Sequence, residues 1–75
     1  MLQLPNLKLQ NMQLSYLDLS FCNMRNCDFS NCHAIEAVFH CSELSNCNFT
    51  DAHLERASFR EAKMNKVTFE RAHAA

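Results

Sequence analysis

The stretch NCDFSNCHAIEAVFHCSELSNCNFTDAHLERASF, residues 26–59, decides the fold. An apolar residue falls at every fifth place: Phe29, Ala34, Phe39, Leu44, Phe49, Leu54 and Phe59. Two places before each stands a small one: Cys27, Cys32, Ala37, Ser42, Cys47, Ala52 and Ala57. A helix cannot use this pattern, because five residues at roughly 100° each carry the apolar position around the cylinder. A long strand cannot use it either, because an odd period sends successive centres to opposite faces. A chain that turns a corner after each short extended segment can. The small residue and the centre then point inward, the residue between them points out, and two residues make the turn.

The period runs through the whole chain. The fifteen centres from Leu4 to Ala74 are all apolar, and the core they define is Met24, Phe29, Phe39, Leu44, Phe49, Leu54, Phe59, Met64 and Phe69. The residue before each centre is polar in every case but Val38. Glycine is absent and proline occurs once, which suggests turns of one undemanding kind.

Four repeats of the chain are CDFSN (27–31), CNFTD (47–51), AHLER (52–56) and ASFRE (57–61). They resemble the pentapeptide-repeat family, whose motif is A(D/N)LXX. The resemblance implies an all-β fold, a right-handed quadrilateral parallel β-helix, or solenoid, with about 3.75 coils of four pentapeptides in this chain. Residues 1–75 are expected to form one domain. Leu2, Leu7, Met12 and Leu17 are large for the small position, so 1–20 is expected to be an irregular or N-terminal capping coil. An Asn column (Asn6, Asn26, Asn46) is expected to bond up and down one corner.

Charge tests the stacking. If four repeats close a coil, residues twenty apart are neighbours. Charged pairs at that spacing are Lys8/Asp28, Glu36/Arg56, Glu43/Lys63 and Asp51/Arg71, all opposite in sign. The overall balance is seven bases against eight acids, which gives no reason to expect direct contact with nucleic acid. No apolar run approaches the ~20 residues that cross a bilayer, and the start lacks the regions of a signal peptide. A cytoplasmic, bacterial location is expected, or delivery into a host if the chain is part of an effector.

Candidate sites follow from the register. Cys22, Cys27, Cys32 and Cys47 take inward positions and read as core. Cys41 falls at an outward corner. His33, His53 and His73 share one outward column, where they read as solvated polar residues or, alternatively, as ligands to a shared transition metal. No carboxylate stands in that column to support them. The outward apolar residues Tyr16, Phe21, Ile35, Val38 and Cys41 gather around one side and form the candidate partner-binding surface. No catalytic constellation, cofactor loop or pocket is expected.

The reading is a non-catalytic protein–protein interaction scaffold, a module of a larger protein. Its partner is another protein, or a second copy held through a β-helix end or side face. The alternative is a DNA-mimicking topoisomerase (gyrase)-binding protein, since the Cys/Ala-rich small positions are similar to those of quinolone-resistance pentapeptide proteins. The near-neutral charge and short length depart from that pattern. The stacking makes its own prediction. Reversing Glu36 and Arg56 together is expected to restore stability that either single reversal lowers, as measured by a double-mutant cycle in urea.

Overall fold

The computed structural model describes residues 1–74. Among these there is no helix. β1 (Leu2–Gln3) and β2 (Cys22–Asn23) pair in parallel with Leu2 opposite Cys22. Beyond them the chain is held by single parallel bridges, each joining residues twenty apart: Lys8 to Asp28, Gln13 to His33, Asp18 to Val38, and on to His53 with His73. Each pentapeptide therefore lies against the one four repeats later. The outward residue sits in the bridge, and its flanking residues carry the bonds between layers. Phe29 N–H donates to Asn48 O at 2.7 Å, and Asn48 N–H donates to Cys27 O at 3.1 Å.

Corners repeat as regularly as the bridges. Fourteen residues have positive φ, from 56° to 67°, one in every repeat from Asn6 to Arg71. In most repeats the centre carbonyl accepts from the N–H three residues on, as in Cys32 N to Phe29 O at 3.1 Å. A four-residue turn with positive φ at its third residue alone is type II, which favours Gly or Asn there. The absence of glycine thus does not mean undemanding turns. Every corner demands a left-handed residue, and the chain meets the demand with five Asn, one Asp and eight others. None is β-branched, the type for which the conformation is worst.

That constraint corrects the reading of the Asn column. Asn6, Asn26 and Asn46 have φ of 63°, 61° and 64°. No hydrogen bond joins their side chains among the described residues. Asn is favoured there because it tolerates left-handed backbone. The outward position has a separate local task. Asp18 Oδ1 accepts from Ser20 N–H at 3.0 Å, Asp28 Oδ1 from Ser30 N–H at 2.9 Å, and Asn48 Oδ1 from Thr50 N–H at 3.0 Å. A short polar side chain thereby fastens the start of the next turn.

The interior is filled by columns of side chains. Phe29 stacks on Phe49 at 4.6 Å and 3°, and Phe39 on Phe59 at 5.0 Å and 1°. The two columns meet edge to face, with Phe29 and Phe39 at 5.9 Å and 84°. Each such pair contributes about 0.5–1.5 kcal/mol beyond its burial. Ala34 is fully buried beside them. Phe59 and Met64 are only partly buried, and Phe69 is 41% exposed although it stacks on Phe49 at 5.4 Å. The first twenty residues keep the turns and bridges of those that follow. Leu2, Leu7, Met12 and Leu17 are exposed, having a layer on one side only.

The choice of small residue has a hydrogen-bonding cause as well as a steric one. The turns after Leu4, Leu19 and Met24 lack the bond from the N–H three residues on. Each of these carbonyls instead accepts from a small residue of the next layer: Leu4 O from Cys27 Sγ at 3.2 Å, Leu19 O from Ser42 Oγ at 2.6 Å, and Met24 O from Cys47 Sγ at 3.0 Å. Alanine could fill those places but not donate. Cys47→Ala is therefore expected to cost about 1 kcal/mol more than Cys32→Ala in urea melts, because it strands a carbonyl in the core. Equal costs for the two would show that the thiols act only by volume.

Candidate functional site

The surface with the strongest departure from the repeat begins at Tyr16 and Phe21. Both stand at corner positions, with φ of 67° and 57°. They are 71% and 61% exposed. A bulky side chain in left-handed backbone is disfavoured, and so is an aromatic ring left in water. The chain accepts both costs at two successive corners. Between them runs Leu17–Asp18–Leu19, with Val38 bridged to Asp18 and Ser58 bridged to Val38.

The other members of the expected surface lie one layer away. Tyr16 N–H donates to Ile35 O at 2.9 Å, which sets Ile35 beside that corner. Cys41 is the residue twenty after Phe21, and it shares the corner conformation with φ of 58°. Ile35, Val38 and Cys41 are each partly buried. The five residues thus flank one column, with the two aromatics at its outer edge. His40, which composition alone did not single out, joins the same region through a hydrogen bond between its Nε2 and Ser58 Oγ.

Asp18 is the charged group of this surface. Hydrogen bonds from Ser20 hold its carboxyl below the usual carboxylate range, and His40 adds to the effect. Its column contains Val38 and Ser58, so no base stacks on it. Elsewhere the spacing-twenty pairs meet. Arg71 Nε is 2.9 Å from Asp51 Oδ1, and Arg56 Nη2 is 3.4 Å from Glu36 Oε2. These pairs are solvent-exposed and contribute ~0–1 kcal/mol each. Lys8 with Asp28 and Glu43 with Lys63 are bridge partners without a close ion pair among the described contacts.

The histidine column forms a parallel stack. His33 lies 4.7 Å from His53 and His53 4.6 Å from His73, both at 6°. Stacked rings hold their nitrogens in separate parallel planes, so the lone pairs do not converge on one ion. Among the described residues no group of three His, Cys, Asp or Glu is placed to hold a metal. A carboxylate does stand nearby, outside the column. Glu55 Oε2 is 3.8 Å from His53 Nδ1, while its Oε1 is buried without a partner. It comes from the adjoining turn rather than from the column, which is why spacing twenty did not find it.

The expected absence of a pocket is also corrected. The interior is filled, but the outside carries a recess of about 250 Å³ bordered by Arg25, Cys41, Ser42, Glu43, Glu61 and Lys63. Its charges balance. Hydrogen bonds from Ser45 lower the pKa of Glu43, with Lys63 and Arg25 adding to the shift. Ser42 Oγ is already engaged, accepting from Cys22 N–H at 3.1 Å and donating to Leu19 O.

A family model described as pentapeptide repeats matches residues 13–51 and 39–73, in eight copies. The chain therefore belongs to the pentapeptide-repeat family. Members of that family form β-helices, in keeping with the helix-free, bridge-stacked chain described above. Comparison with curated proteins gives no match. No helix is long and apolar enough to cross a membrane among the described residues.

The thiols divide by environment. Burial pushes Cys47 up to about 12 and Cys32 up to about 11, and it raises Cys22 and Cys27 as well. At pH 8 Cys32 and Cys47 are at most about one-thousandth ionised, and the thiolate is the reactive form. Of five cysteines, Cys41 alone is not fully buried. Native protein is expected to react fast with one equivalent of a disulfide reagent such as DTNB. That equivalent should vanish in Cys41→Ser, and all five thiols should react in denaturant.

Proposed function

We propose that the chain is a non-catalytic protein–protein interaction scaffold. It is a right-handed quadrilateral parallel β-helix of about 3.75 coils, each made of four pentapeptides. The side bearing Tyr16, Phe21, Ile35, Val38 and Cys41 is its working surface, and the partner is another protein or a second copy. A rigid repeat stack suits this role, because regular layers present fixed side chains on an extended surface.

One observation carries the reading. Tyr16 and Phe21 are left 71% and 61% exposed at corners where most other repeats place small or polar side chains. Exposed apolar clusters of this kind mark contact surfaces. The topoisomerase-binding alternative draws no comparable support, as the chain carries one net negative charge.

Light scattering and sedimentation on the 75-residue chain test the proposal, alone and with Val38→Glu. A self-association or pull-down complex is expected to weaken at least tenfold in the variant, because a buried unpaired carboxylate at an interface costs several kcal/mol. An association indifferent to Val38→Glu would move the working surface away from this side.

A further inference from the structure

We infer that Tyr16, Asp18 and Phe21 form an acceptor for an arginine side chain presented by a partner protein. This deepens the scaffold reading and rests on it. Two exposed aromatic residues bracket one exposed carboxylate within six residues. Each ring presents a negative π face, and cations bind such faces. Asp18 supplies a full negative charge between them.

The carboxylate is available. Four acids have a base in their own column: Glu36 has Arg56, Asp51 has Arg71, Asp28 has Lys8 and Glu43 has Lys63, whereas Asp18, Glu55, Glu61 and Glu70 have none. Asp18 faces Val38 in its bridge, and Ser58 lies beyond. Its local bonds are both to Ser20, from the N–H to Oδ1 and from the side chain, and no Lys or Arg ion pair to it occurs among the described residues. His40 is the titratable neighbour on this side, and its Nε2 is engaged with Ser58. Among the acids without a base in their column, Asp18 is the one set between two exposed aromatic corners.

Arginine fits better than lysine. A guanidinium is planar, so it can lie against a ring while its edge donates to a carboxylate. Its aliphatic stem needs apolar cover, which the partly buried Ile35 and Val38 provide. A purely apolar partner would bury Asp18 without compensation, which disfavours it.

The chain contains one tyrosine and no tryptophan, so its tyrosine emission reports on this site alone. Titration with a tri-arginine amide peptide is expected to change that emission saturably, with affinity falling as salt rises. Tri-glutamate and N-acetyl-leucine amide should leave it unchanged. Asp18→Asn and Phe21→Asn should each weaken tri-arginine by about fivefold or more. Both place asparagine where the chain already uses it, at Asn23 or Asn48 for the first and at Asn26 or Asn31 for the second, so folding is retained. Circular-dichroism melts check that retention. No saturable change, an equal change with N-acetyl-leucine amide, or undiminished binding in both variants would overturn the inference. If tri-arginine fails while Val38→Glu still abolishes association, the scaffold reading stands and the arginine acceptor falls. If tri-arginine binds as expected but association ignores Val38→Glu, the acceptor stands and the wider surface must be redrawn.

Discussion

A left-handed backbone conformation at every fifth residue holds this structure together. Fourteen such corners turn the chain after each short extended segment. Only with every corner in place do residues twenty apart meet in a bridge. The conformation costs ~1–2 kcal/mol for most residues and less for Asn or Asp. Across eight unsuited corners the sum is on the order of 10 kcal/mol, comparable with the whole stability of a small domain. Buried phenylalanine columns and the ladder between layers offset it. The corners and the core are therefore mutually dependent: a layer without its neighbours would not hold its turns. Such nearest-neighbour stability is what makes a repeat stack rigid in the middle and weaker at its ends.

The same dependence explains how the ends differ. Residues near the middle, such as Phe39 and Leu44, have a layer on both sides and are fully buried. Leu2, Leu7, Met12 and Leu17 have a layer on one side and stay exposed, as does Phe69 at the opposite end. Their repeat positions are the same as those of buried residues. Exposure here follows from position along the stack and not from the kind of side chain, so an exposed leucine in this ring is weak evidence of a binding role. Tyr16 and Phe21 differ, because the corner position points outward in every layer and their exposure would persist anywhere in the stack.

Periodicity made most of the fold legible. The centres from Phe29 to Leu54 and the buried Cys22, Cys27, Cys32 and Cys47 follow directly from counting in fives. Spacing twenty anticipated the Glu36–Arg56 and Asp51–Arg71 contacts. Three features were not legible. The left-handed corners were masked because their usual marker, glycine, is absent. The thiol and hydroxyl bonds to Leu4, Leu19 and Met24 join residues twenty-three apart, and they depend on which turns lack their own closing bond. Glu55 approaches His53 across a turn, outside any single column. Each of these depends on local geometry that a repeat average removes.

For the candidate surface, the informative signal was a conflict between levels. Through the middle of the stack burial follows the repeat position, the kind of consistency by which a short sequence specifies one structure. At Tyr16 and Phe21 backbone preference and burial both object, and the carboxylate between them, Asp18, has Val38 and not a base as its bridge partner. Two successive aromatic corners are hard to attribute to drift in a stack whose other corners include six Asn or Asp residues. Stability would be improved by asparagine at either aromatic corner. Under the proposed reading, contact with a partner accounts for a surface retained against its own stability, and the chemistry of these three side chains suits a cation with a flat face.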